Sequence, residues 1–120
     1  MPRAVRFNGN QKPESDFKKA AWRYLQIAYG RHIFRLSIAG GPFQRSGSPD
    51  DIFSIRGNCV AIEWKAPTES TGRTPRKSPR QDQVIAEIIA AGGRAGKVSN
   101  WMELKALLEG IEPMQRGMEL

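Results

Sequence analysis

The strongest constraint on this chain is the way its hydrophobic period changes along its length. After Pro13, the residues Phe17, Ala20, Ala21, Tyr24, Leu25 and Ala28 recur at i, i+3, i+4, i+7, i+8 and i+11, the spacing of an amphipathic helix, which Gly30 then closes. Three strand-like runs follow, at Ile33 to Ile38, Asp51 to Ile55 and Cys59 to Lys65, the last two joined by the turn residues Arg56, Gly57 and Asn58. The helical period returns after Pro79 with Val84, Ile85, Ile88 and Ile89, ending at Gly92 and Gly93. Ala95 to Val98 reads as one more strand. Asn100 and Glu103 have capping-box spacing and open a helix through Trp101, Leu104, Leu107 and Leu108 to Gly110. The order helix, three strands, helix, strand, helix predicts an α/β sandwich with a mixed central sheet flanked by helices.

At 120 residues the chain has room for one domain, expected over residues 13–110. Residues 1–12 are polar and basic without an apolar period and are expected to form a flexible arm; residues 111–120 are expected to fray. The stretch 66–80 is rich in Pro, Thr, Ser and Arg, shows neither period, and is read as a mobile basic loop. There is no apolar run of about 18 residues and no apolar stretch at the start, so no membrane partner and a cytoplasmic location are expected.

Side-chain chemistry narrows the function classes. A single cysteine, Cys59, excludes an intrachain disulfide, and with a single histidine, His32, it cannot complete a Cys/His zinc site within one chain. Histidine-dependent hydrolase triads are removed unless His32 serves. Its place beside the first helix's C-terminus gives it a dipole-offsetting role instead. Any chemistry falls to carboxylates and lysine. Lys and Arg number 19 against 12 Asp and Glu, for a net charge of +7, which points to a polyanionic partner. Residues 1–80 hold 15 basic and 6 acidic residues, so the excess lies in that part. The basic residues Arg73, Arg76, Lys77 and Arg80 follow one another with no acid between them, as do Arg31, Arg35 and Arg45 before Pro49. Both groups are read as contacts to phosphates.

Within the basic region, acids and amides fall where the elements would gather them: Glu14 at the first helix, Asp50 at the start of the hairpin, Glu63 in its second strand, and Gln81 at the next helix. Side chains alternate along a strand, so Glu63 and Lys65 share a face and Trp64 takes the other. Antiparallel pairing through Gly57 sets residue 50 opposite residues 63–65, where Asp50 and Glu63 can share a hard divalent cation and Lys65 can orient a water or steady charge on a phosphodiester. Taken singly, Glu14 reads as a helix-start acid, Asp50 with Asp51 as a turn, and Glu63 with Lys65 as a surface pair. Jointly, acids on a polyanion-binding surface repel the partner unless a cation intervenes.

Ser48-Pro49-Asp50, a short hairpin and then Glu63-Trp64-Lys65 are similar to the PD-(D/E)xK signature of restriction-endonuclease-like nucleases. With Glu14, Gly47, and Ser78-Pro79-Arg80-Gln81 leading a helix, the chain resembles the VRR-NUC family, small phage and bacterial nucleases related to Holliday junction resolvases, from about Glu14 to Leu108. The resemblance implies a restriction-endonuclease-like sandwich and an Mg²⁺- or Mn²⁺-dependent endonuclease acting on branched or structured DNA; a domain this small covers only part of a duplex or junction, so a homodimer with two active sites is expected. It further implies metal ligation by Glu14, Asp50, Glu63 and the Trp64 backbone carbonyl, with Lys65 as catalytic lysine and Gln81 as support. Trp64 departs from the small aliphatic residue usual at its position. Two rivals use the same residues differently: a DNA-binding module that keeps the fold without cutting, and a basic structural protein of a ribonucleoprotein.

Overall fold

The structure, a computed structural model, describes residues 13–37, 47–66, 79–114 and 117–120, without the side chains of residues 13–15 and 37. The arm expected at 1–12, and residues 67–78 of the expected basic loop, lie outside the described residues. The described elements run α1 (Pro13–Tyr29), a 3-10 turn (Gly30–His32), β1 (Ile33–Ser37), β2 (Asp51–Ile55), β3 (Asn58–Trp64), α2 (Pro79–Ala90), β4 (Arg94–Val98) and α3 (Trp101–Leu107). This is an α/β chain with a four-stranded mixed sheet in the order β1-β2-β3-β4. The first three strands run antiparallel, and β4 returns parallel to β3 after the α2 crossover.

Local chemistry sets the boundaries. The β2–β3 turn is a two-residue hairpin in which Arg56 and Gly57 both take positive φ, 47° and 84°, as a primed turn demands. An arginine in that region is strained. Its backbone N–H donates to His32 O at 2.8 Å and its guanidinium to Glu112 O at 3.2 Å, which hold it there. Asn100 caps α3 by accepting from Glu103 N at 2.8 Å, and the Glu103 carboxylate reaches back to Ser99 N at 2.9 Å, one residue beyond the position in an ideal capping box. The Arg94 guanidinium donates to the carbonyls of Leu107 and Glu109 at the end of that helix.

Alternation along the strands gives the sheet two unlike faces. Phe53, Ile55, Val60, Ile62, Trp64 and Val98 form one core cluster with Phe17, Tyr24, Leu25 and Tyr29 of α1, and Leu104 of α3. Edge-to-face ring contacts link Phe17 to Trp64 and Trp101, and Trp101 to Tyr24, each worth about 0.5–1.5 kcal/mol beyond its area. On the other face α2 lies over β3 and β4, tied by the Asp82–Lys97 ion pair at 2.9 Å and by buried Val84. At the β1 end of that face Phe34 is 70% exposed.

The tail expected to fray is instead docked over its described residues. Buried tyrosine hydroxyls need acceptors, and Tyr29 finds Ile111 O at 2.8 Å and Tyr24 finds Met118 O at 2.6 Å. Met114 N also donates to Ala28 O at 2.7 Å, while Ile111, Met118 and Leu120 pack on the core.

Candidate active site

Asp50 immediately precedes β2, in a segment whose path Gly47 determines. Gly47 has φ +79°, and a Cβ there would come within 2.9 Å of the Arg80 backbone and side chain. Only glycine lets this segment lie against the first turn of α2, the turn that carries Gln81. The register pairs Asp51 with Ile62, so one further step sets Asp50 opposite Glu63. Asp50 Oδ2 accepts the Trp64 backbone N–H at 3.0 Å. A strand residue's N–H and C=O project to the same edge, so the Trp64 carbonyl leaves the strand on the side occupied by Asp50.

Two residues along β3, the Lys65 ammonium stands between two acceptors. Its Nζ lies 3.7 Å from Glu63 Oε1 and donates to Gln81 Oε1 at 3.2 Å. Glu63 is 8% exposed and its Oε2 is sealed from solvent, whereas Asp50 and Lys65 are half-buried. The result is a carboxylate sunk in the sheet, a second carboxylate at its rim, a backbone carbonyl beside it, and a lysine fixed by an amide from the next helix. An all-oxygen set of this kind suits a hard divalent cation, and the lysine supplies a donor for an anionic oxygen or a water.

Of the five expected catalytic residues, Glu63, Lys65 and Gln81 are linked side chain to side chain, and Asp50 is tied to the backbone of Trp64 between Glu63 and Lys65. The fifth, Glu14, has its side chain outside the described residues; its position in α1 is one helical turn before Lys18. Among the described residues no three or more Asp, Glu, His or Cys side chains are gathered to hold a metal ion, leaving Asp50 and Glu63 as the described carboxylates of the site. Of the expected phosphate contacts, Arg31 is exposed, and Arg80 is exposed and donates to Gln83 Oε1 at 3.1 Å. Arg45, Arg73, Arg76 and Lys77 lie outside the described residues. The Arg35 guanidinium is committed elsewhere.

Its partner is Asp51, which single-residue reading assigned to an ordinary turn. Asp51 is 0% exposed and faces α1, opposite to Asp50. Arg35 donates to it through Nε at 3.0 Å and Nη2 at 3.3 Å, Lys18 Nζ lies 3.5 Å away, and the Trp64 indole N–H donates at 2.7 Å. Arg35 also lies 4.3 Å over the ring of Trp22, which stacks on Phe53. The signal was present in the sequence. An acid in strand parity with Phe53 and Ile55 lies on the apolar face and requires partners.

A cavity of about 390 Å³ lies between α1, the end of α3 and the tail, bordered by Tyr24, Tyr29 and Leu108, and shares no residue with this cluster. Burial, with the Tyr29 and Glu119 charges adding, pushes the Tyr24 hydroxyl up to about 12, and burial raises Tyr29 as well, with Glu112 adding. No helix among the described residues is long and apolar enough to cross a membrane. Among known proteins, no family model, curated protein or solved structure matches this chain.

Proposed function

We propose that the chain is an Mg²⁺- or Mn²⁺-dependent DNA endonuclease of the restriction-endonuclease-like kind, close in design to the VRR-NUC and Holliday junction resolvase-like nucleases, acting on branched or structured DNA. One observation carries the reading: Lys65 is held between Glu63 and Gln81 while Asp50 is tied to the backbone of the intervening Trp64. Surface ion pairs do not require a strand residue, a loop acid and a helix amide to meet on one side of a sheet. Asp50, Glu63 and the Trp64 carbonyl would hold the metal, with Glu14 as the further ligand that the resemblance implies. The metal, when bound, lowers the pKa of a bound water and offsets charge on the scissile phosphate.

The chain's own groups do the rest. Glu63, nearly buried, keeps its carboxylate in one orientation. Gln81 accepts one Lys65 proton and so aims the ammonium, whose remaining donors serve the attacking water or the phosphate oxygens. The net charge of +7 attracts the polyanion, with Arg31, Arg45, Arg73, Arg76, Lys77 and Arg80 as the phosphate contacts. A domain this small covers part of a junction, and a homodimer with two active sites, working in the cytoplasm of a bacterial or phage-infected cell, completes the proposal.

The test is incubation of the purified protein with labelled four-way junctions, flaps, nicked and plain duplexes and RNA, with Mg²⁺, Mn²⁺ or EDTA. Metal-dependent cutting of a branched DNA is expected. Tight DNA binding in EDTA with no cutting in either metal would identify a binding module, and preference for RNA a ribonucleoprotein component.

A further inference from the structure

We propose that Asp51 and Trp64 form a positioning pair for the nuclease site, on the side of the sheet facing away from it. The inference rests on the nuclease reading and goes beyond it, because neither residue's side chain belongs to the set Asp50, Glu63, Lys65 and Gln81. Two consecutive acids grip one residue. Asp50 Oδ2 takes the Trp64 backbone N–H at 3.0 Å, and Asp51 Oδ2 takes the Trp64 indole N–H at 2.7 Å. Trp64 lies between Glu63 and Lys65, so rotating its peptide would turn both of those side chains.

β2 begins at Asp51, so Asp50 lies just before the strand, opposite Glu63 near the end of β3, with Lys65 one residue past that end. Strand ends fray unless fixed, and a site tolerates displacement of only about 0.5 Å. The fixing is done from beneath. Asp51 is fully buried, its charge answered by Arg35 and Lys18, and Arg35 is itself stacked on Trp22. The Trp64 ring is wedged against Phe17 at 5.9 Å. The carboxylate therefore has one place to be, and the indole donor follows it. Here the Trp64 side chain provides a hydrogen bond as well as bulk.

Trp64→Phe keeps most of the ring and removes the donor. In the full chain, with the branched DNA that wild type cuts in Mg²⁺, kcat should fall roughly tenfold to a hundredfold. KM, DNA affinity in EDTA and the far-ultraviolet circular dichroism should stay at wild-type values, a split that a merely structural role would not produce. Of the three tryptophan indole N–H signals, the one lost in Trp64→Phe should be the most protected from solvent exchange in wild type. Asp51→Asn, which keeps an acceptor and weakens it, should reproduce the kcat loss in smaller measure, and it carries the test if Trp64→Phe does not fold. Wild-type kcat in the folded variant would overturn the positioning role and leave the nuclease reading standing. Absence of metal-dependent cutting by wild type would overturn that reading, and this inference with it.

Discussion

Asp50 and Asp51 are adjacent in the chain, yet one stands half-buried beside Glu63, Lys65 and Gln81 while the other is sealed beneath α1 against Arg35, Lys18 and the Trp64 indole. The open side keeps a carboxylate at its rim: Asp50 is half-buried, and its Oδ2 accepts the Trp64 N–H. On the sealed side the charge is neutralised within the protein, and the acid has nothing to offer an external cation. Reach to solvent, decided by the two-residue alternation at the start of the strand, separates the two acids.

The largest expected effects are opposite for the two neighbours. Asp50→Asn keeps an acceptor for the Trp64 N–H and removes the charge, so cleavage in Mg²⁺ should fall on the order of a thousandfold while unfolding free energy moves by less than about 1 kcal/mol. Asp51→Ala strips the counter-charge from Arg35 and Lys18 and should cost about 3 kcal/mol, read from urea midpoints. A stability loss as large for Asp50→Asn as for Asp51→Ala would erase the distinction between the two sides.

The sealed side also determines the response to alkali. Tyr24 holds its proton up to about 12 in the folded chain, against the ordinary tyrosine value of 10.0. The stabilisation is thus fully present below pH 10 and lost as pH rises through 12, by about 2–3 kcal/mol, because the unfolded chain releases the proton first. Tyr24→Phe should start lower, by about 1 kcal/mol for the lost bond to Met118 O, and should decline less over that interval in alkaline urea titrations.

A smaller contrast separates two glycines. Gly47→Ala meets both a positive φ and the Arg80 backbone, whereas at Gly57, φ +84°, a Cβ would meet nothing within 4 Å. Melting experiments should show Gly57→Ala costing about 1 kcal/mol and Gly47→Ala about twice that. Cleavage should fall in Gly47→Ala and persist in Gly57→Ala, since the Gly47 segment carries Asp50.

Much of this was legible in advance, and what was missed has physical causes. The periods of 3.6 and 2 place the elements, with strand ends shifted by one residue and the last helix ending at Leu107, three residues short of Gly110. The meeting of Glu63, Lys65 and Gln81, and the place of Asp50 across from Glu63, are readable from the hairpin and the helix after Pro79. Asp51 was missed because turn chemistry at Pro49-Asp50-Asp51 was weighed ahead of the strand parity that begins at Asp51. A charge count reads Arg35 as a phosphate contact because it carries no information about a buried carboxylate on the neighbouring strand. The docked tail depended on two tyrosine hydroxyls in need of acceptors, a requirement that exists only once α1 is buried.

The most direct measurement compares wild type with Glu63→Gln on labelled branched DNA in Mg²⁺, alongside binding in EDTA. Glu63→Gln retains size and shape and loses the charge that would hold the cation. A metal-dependent nuclease centred on Asp50, Glu63 and Lys65 cleaves as wild type and fails to cleave as Glu63→Gln, with the variant binding DNA as tightly or slightly more tightly because a repelling charge is gone. Cleavage by Glu63→Gln at the wild-type rate would contradict it.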